Sequence, residues 1–178
     1  MVTIIFEPHA RTKDNEAKLA SGWYDVELSD SGQKEAKELG QKYQSNSIDA
    51  IFCSDLQRSY QTAAIAFTGR NIPIIKDSRL RECNYGDLTR QPKKEIGSVQ
   101  AKYITQPFPN GESYQQTTER LQSFLNELLQ NYSGKKVLII GHRATQYGLA
   151  YLVKKIPLEE VVTPSWLLPR GVPLEVKL

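Results

Sequence analysis

The stretch VTIIFEPHARTKDN, residues 2–15, decides the fold. Its first half is a β-branched and aromatic run, which predicts a buried strand, and Pro8 ends that strand because proline cannot donate to a β-ladder. His9 follows at once. In an open α/β sheet, ligands bind beside the loops that leave the carboxyl ends of the strands. A histidine at this position is therefore placed for chemistry.

The chain contains two histidines, and the second is found in a similar setting. His142 follows KKVLIIG, residues 135–141, another short apolar run, which glycine ends. Either histidine alone would be an ordinary strand-end residue. Both histidines at strand ends form a coincidence that a common function would explain.

Outward from these strands, apolar periodicity predicts alternating helices and strands. Further strands are predicted at 48–54, 71–75, 137–140 and 174–178. Helices are predicted after a cap at Ser29 or Ser31, from the capping-box pattern Ser54-x-x-Gln57, from Ser113 and over Thr145–Lys155. This alternation indicates an α/β fold with a largely parallel sheet covered on both faces. Residues 16–28 are predicted to be irregular, and the proline-rich residues 89–112 to form a lid or specificity segment.

Composition and charge exclude several classes of protein. The 178 residues, 39% hydrophobic and 24% charged, fit one soluble domain over 1–178, and no apolar stretch is long enough to span a bilayer. The start of the chain lacks a secretory signal pattern, so we expect a cytoplasmic protein with no membrane partner. The net charge of +3 is scattered, which favours a small anionic substrate over a nucleic acid. The oligomeric state stays open, with a homodimer as one option.

Two cysteines and the available motifs narrow the chemistry further. Cys53 and Cys83 have no metal-ligand spacing, and we expect free thiols. Motifs of the types GxxxxGK[ST], GxSxG, HExxH and CxxC are absent from the sequence. Phosphoryl transfer through histidine needs a neutral imidazole, cations or N–H donors around the phosphoryl oxygens, and an acid for the leaving oxygen. The chain has candidates for each, including Arg58 in the first turn of a predicted helix, where the helix dipole favours an anion.

Several stretches resemble, in order, the motifs of the histidine phosphatase superfamily, which includes phosphoglycerate mutases and many small phosphatases. HART from His9 with Asn15 resembles the family's R-H-G-x-[ST]-x-x-N, and CSDLQRSYQTA resembles S-[SD]-x-x-R-x-x-[QE]-T-A. The other matching stretches are LSDSG (28–32), LRECNYGDL (80–88), PNGES (109–113) and VLIIGHR (137–143). The resemblance implies a three-layer α/β/α sandwich with a mixed sheet, of the phosphoglycerate mutase type.

The resemblance also implies roles for individual residues. His9 would be the nucleophile that forms a phosphohistidine, and Glu82 would be the general acid and later the base. The residues that would contact the phosphoryl group are Arg58, His142, Thr12 and Asn15. Neither a metal nor another cofactor is implied. The implied activity is that of a metal-independent phosphomonoesterase acting on a small phosphorylated metabolite.

The chain departs from the family pattern beside both histidines. Pro8 replaces the family's arginine, and Ala10 and Arg143 replace the glycines that follow the two histidines. Loss of a guanidinium removes a bidentate phosphate contact. We predict that Arg143 takes over part of this duty, and Arg11 is a second candidate; in the competing hypothesis the pocket is simply deficient.

Two alternative functions follow from the same residues. One is phosphoryl transfer of the phosphoglycerate mutase type, although the larger mutases carry insertions and a long tail for which this chain has little room. The other, motivated by Pro8 and Ala10, is a non-catalytic protein that binds a phosphorylated ligand or regulates a partner.

Overall fold

A computed structural model describes residues 1–177 and shows one mixed five-stranded sheet. The strands are β1 (Val2–Pro8), β2 (Ala50–Cys53), β3 (Ile74–Lys76), β4 (Lys136–Gly141) and β5 (Pro173–Val176). Their order across the sheet is β3-β2-β4-β1-β5, and every pairing is parallel except that of β1 with β5. The prediction of a mostly parallel mixed sheet is confirmed.

Helices cover the sheet on both sides. The α-helices are α1 (Lys13–Glu16), α2 (Asp30–Lys42), α3 (Gln57–Ala66), α4 (Lys93–Val99), α5 (Tyr114–Asn131), α6 (Arg143–Lys154) and α7 (Leu158–Val161). Short 3₁₀ turns lie at Ser78–Leu80, Gly86–Leu88 and Gln100–Tyr103. Ser29 caps α2, and Ser113 forms a capping box with Gln116 at the start of α5, as predicted.

The alternating side chains of the central strands build the core in two halves. Ile4 and Phe6 of β1 pack in a cluster with Leu121 and Leu125 of α5, whereas the intervening Ile5 packs in another cluster that includes residues of α3. Because neighbouring side chains on a strand point to opposite faces, one buried strand supplies both clusters. This arrangement is the three-layer α/β/α sandwich that the resemblance implied.

Helix α3 starts differently from the prediction. Its N-cap is Leu56, which makes no capping hydrogen bond through its side chain, rather than Ser54. The Gln57 N–H donates instead to the carboxylate of Asp25 (2.8 Å), within the irregular segment 16–28. The Ser54 hydroxyl, predicted to cap the helix, is used elsewhere, as described below.

Other boundaries differ by a few residues. Strand β3 lies at Ile74–Lys76 rather than 71–75, helix α6 begins at Arg143 rather than Thr145, and α7 follows Pro157 where no element was predicted. The last residue of the predicted strand 174–178, Leu178, lies outside the described residues. Among the described helices, none has the length and apolarity to cross a bilayer.

Candidate active site

The sheet register brings the two histidines together. Strands β1 and β4 pair in parallel so that Pro8 lies opposite Gly141, and the His9 N–H extends the ladder by donating to the Gly141 carbonyl (3.0 Å). The chain leaves both strands at the next residue, and the imidazole centroids of His9 and His142 lie 5.1 Å apart. Adjacent carboxyl ends of parallel strands therefore form the floor of the site.

The environment of His9 leaves one ring nitrogen without a proton. Its Nδ1 lies 2.7 Å from the Ala10 carbonyl oxygen, which can only accept a hydrogen bond, so we assign the proton to Nδ1 and the lone pair to Nε2. Burial, reinforced by the positive charge of Arg58, lowers the pKa of His9 to about 3. At neutral pH this side chain is an uncharged imidazole with a free Nε2.

His142 is held between the ends of β2 and β4 through one ring nitrogen, while its buried Nδ1 has no hydrogen-bond partner within the described residues. Its Nε2 lies 2.6 Å from Ser54 Oγ, and both side chains are buried. Ser59 Oγ accepts from the Ser54 N–H (3.1 Å) and donates to the Ile140 carbonyl (2.6 Å), which fixes Ser54 relative to β4. Burial, followed by the nearby charge of Arg58, lowers the pKa of His142 well below its usual range. Sequence reasoning missed this role of Ser54, although its motif was noted.

Arg58 lies in the first turn of α3 and is almost fully buried. Its guanidinium donates to the carbonyl oxygens of Gly22 (2.7 Å) and Tyr24 (3.0 Å). Gly22 has φ of +52°, a conformation that glycine adopts without strain. The segment 16–28, irregular as predicted, thus orients the arginine that the sequence singled out.

Glu82 is fixed through both its carboxylate and its backbone. The carboxylate accepts hydrogen bonds from the N–H groups of Cys83 (2.9 Å), Arg143 (3.0 Å) and Ala144 (3.0 Å), so it caps the start of α6. The Glu82 carbonyl accepts from Trp23 Nε1 (2.7 Å) and from Arg120 (2.8 Å). The carboxylate is therefore held within the same cavity as the two histidines.

One cavity of about 530 Å³ is lined by His9, Arg58, Glu82 and His142. Beyond the histidines, its walls come partly from α4 and from the tail that follows α7. The residues of this outer wall are Lys93, Ile96, Gly97, Gln100, Pro164 and Arg170. Lys93 forms no ion pair within residues 1–177, and sequence reasoning did not single it out. The prediction that residues 89–112 bear on specificity stays a prediction, although α4 does line the cavity.

Of the other predicted phosphate ligands, some line the cavity and one does not. Asn15 lines the cavity, while its side-chain oxygen accepts from the Thr12 N–H (3.2 Å). Thr12 is fully buried and caps α1 through its hydroxyl, so it is a structural neighbour and not a lining residue. Arg11 lines the rim, but it is exposed and pairs with Glu35 (3.1 Å).

Arg143 joins the start of α6 to the tail that follows α7. Its two terminal nitrogens donate to the carbonyl oxygens of Pro164 (2.5 Å) and Trp166 (3.0 Å) in the tail. Two N–H groups of the guanidinium are therefore engaged by main-chain acceptors, while Arg143 also lines the cavity. Its predicted contact with the phosphoryl group stays a prediction. The direction of the side chain is set by these distant carbonyls, which the sequence around His142 does not reveal.

The arrangement places an uncharged imidazole, a buried cation and a carboxylate in one cavity. That set is suited to attack on an electrophile that carries negative charge, such as a phosphoryl group. Within residues 1–177, no three His, Cys, Asp or Glu side chains are grouped to hold a metal ion.

Comparisons with known proteins agree with this geometry. The sequence profile of the histidine phosphatase superfamily (branch 1) matches residues 4–166. A protein of Cytophaga hutchinsonii named 2,3-bisphosphoglycerate-dependent phosphoglycerate mutase is 31% identical over 90% of this chain and 81% of its own length. The Bacillus subtilis protein named uncharacterized phosphatase PhoE is 31% identical over 84% of this chain and 76% of its own. The solved structure of Bacillus stearothermophilus YhfR is 28% identical, with a TM-score of 0.82 over 94% of this chain and 87% of that one.

Proposed function

The chain belongs to the histidine phosphatase superfamily, and on that premise we propose that it hydrolyses phosphate monoesters of small metabolites through a phosphohistidine at His9. One observation carries the proposal: the neutral His9 imidazole, with its proton engaged by the Ala10 carbonyl, leaves Nε2 free beside Arg58. A histidine nucleophile requires this protonation state, because a protonated Nε2 has no lone pair to donate.

In the first step, Nε2 of His9 attacks phosphorus and the bond between phosphorus and the leaving oxygen breaks. Glu82, in its protonated form, gives its proton to that oxygen, so the alcohol departs neutral. Arg58 and His142 stabilise the charge on the phosphoryl oxygens. In the second step, water attacks phosphorus, Glu82 takes a proton from the water, the P–N bond breaks, and inorganic phosphate leaves the restored His9.

A mutase is the second candidate, since the Cytophaga relative carries that name. The same phosphohistidine would then pass its phosphoryl group to a substrate hydroxyl instead of to water. The two reactions are separated by their products. A mutase primed with 2,3-bisphosphoglycerate converts 3-phosphoglycerate to the 2-isomer without equivalent release of phosphate, whereas a phosphatase releases one phosphate for each ester consumed.

The deciding experiment is a quench of the enzyme with a ³²P-labelled phosphate ester. We expect an acid-labile, base-stable adduct that maps to His9 and is absent from His9→Asn, together with turnover that a chelator does not reduce. Sustained turnover without the adduct would contradict the mechanism. Binding of inorganic phosphate with no turnover of any ester would instead favour the non-catalytic ligand binder.

A further inference from the structure

One face of α6 holds the backbone of the tail that follows α7. Arg143 donates to the Pro164 and Trp166 carbonyls, and the Tyr147 hydroxyl donates to the Thr163 carbonyl (3.0 Å). The amide of Leu168 in turn donates to Gln146 Oε1 (3.2 Å). All four hydrogen bonds are made to backbone atoms of residues 163–168. They therefore depend little on which side chains the segment carries.

The segment held in this way forms a wall of the active-site cavity. Pro164 lines the cavity and packs against Gly97 of α4, where an added Cβ would lie only 3.1 Å from Pro164 Cγ. Helix α4 and the tail are therefore in contact at Gly97 and Pro164. This contact limits the width of the cavity on that side. A change in the position of Pro164 would change the size of that space.

The start of α6 contacts both Glu82 and this wall. The backbone N–H of Arg143 binds the Glu82 carboxylate, while its guanidinium extends to Pro164 and Trp166. In the proposed reaction, Glu82 faces the leaving oxygen. The hydrogen bonds of the Arg143 guanidinium accordingly lie on the side of the tail.

We propose that Arg143 is a specificity-determining residue: it fixes residues 163–168 against α4 and so limits the size of the leaving group. This inference rests on the proposed function for its substrate class. The planar guanidinium holds two carbonyl oxygens at once through its two terminal nitrogens. A lysine ammonium cannot reproduce this planar geometry. Without the guanidinium, the wall would separate from α4 and larger leaving groups would be admitted.

The test compares phenyl phosphate with 1-naphthyl phosphate, two aryl esters that differ mainly in size. Arg143→Ala should reduce the preference for the smaller ester, measured as the ratio of the two kcat/KM values, by about 10-fold, the worth of a small steric difference in a fitted pocket. The preference of Arg143→Lys for the smaller ester should lie between those of the wild-type protein and Arg143→Ala. Amide hydrogen exchange over 163–168 should accelerate in Arg143→Ala and not in the control Lys154→Ala, which removes a cation from the far end of α6.

Two results would overturn this inference. An equal loss on both esters with unchanged exchange would show that Arg143 acts on the phosphoryl group or through Glu82, and an unchanged preference would show that the wall does not select. If the protein binds esters without turnover, the same ratio is read from the dissociation constants of phenylphosphonate and 1-naphthylphosphonate. Failure of the proposed phosphatase activity is thereby distinguished from failure of this assignment.

Discussion

The inner and outer halves of the cavity are built in different ways. The inner half, around His9 and His142, sits on the ends of two paired strands, and its backbone geometry is fixed by the β-ladder. The outer half, around Gly97 and Pro164, is formed by a short helix and a tail that side chains of α6 hold in place. The sheet thus positions the two histidines, whereas a few long-range contacts position the outer wall.

This difference predicts that substitutions in the inner half of the cavity abolish turnover, whereas substitutions in the outer half change which substrates are preferred. The largest effect is expected for His9→Asn, which removes the nucleophile but preserves a polar side chain of similar shape. We expect kcat to fall by at least about 10³-fold, as for removal of a nucleophile in other enzymes. Steady-state hydrolysis of p-nitrophenyl phosphate measures this fall in kcat. The comparison variant from the outer half is Pro164→Ala. The comparison would fail if both variants lost activity to the same extent.

The next largest effect should depend on the leaving group. Glu82→Gln keeps the shape of the side chain but cannot supply the proton, so an alkyl phosphate should lose about 10²-fold to 10³-fold in kcat. A nitrophenyl ester, whose leaving group needs little protonation, should lose much less. Parallel kinetics on the two esters decide the matter, and equal losses would remove the acid role from Glu82.

A smaller effect is expected at Ser54, which belongs to the inner half although it does not line the cavity. Ser54→Ala removes the hydroxyl beside His142 Nε2, and we expect kcat to fall by about 10-fold with little change in KM, the cost of about one hydrogen bond. Ser54→Cys should restore part of the loss. Ser133→Ala serves as the control, because Ser133 is exposed and precedes Gly134, whose N–H donates to the Met1 carbonyl at the end of β1 opposite His9. A matching fall in that variant would argue for a general loss of folding.

The smallest effect concerns stability rather than rate. Burial holds the pKa of His9 at about 3 and that of His142 well below its usual range, whereas the ordinary value is 6.5. The unfolded chain therefore binds more protons below pH 6.5, and the free energy of unfolding should decrease as the pH falls from about 6.5 toward 3. Each histidine should add a slope of about 1 kcal/mol per pH unit.

Urea unfolding at pH 7, 6 and 5 measures this slope. His9→Asn should reduce the slope by the contribution of one histidine, and the difference between the two proteins cancels the background from carboxylates. Identical slopes would mean that His9 titrates in the folded protein as it does in the unfolded chain, contrary to the lowering of its pKa by burial.

The same division explains what could be predicted from the sequence. Strand ends have local signals, such as the apolar run before Pro8, so the fold and the placement of His9 and His142 follow from short stretches of chain. The direction of the Arg143 side chain has no local signal, because the carbonyls that receive it lie 21 and 23 residues away and any residue type supplies a carbonyl. The partnership of Ser54 with His142 was equally hidden, since a serine before a helix is ordinarily a cap.

The hydrogen bonds among Ser54, Ser59, Ile140 and His142 join residues 81 and 88 positions apart in the chain. Contacts of such long sequence separation form late, after the loop-closure entropy has been offset by docking of the elements that carry them. A collapsed chain that already has its helices would still lack the oriented His142 ring. During refolding, the return of activity should therefore follow the docking of β2 and α3 on β4, so that a catalytic assay reports when this long-range pairing is complete.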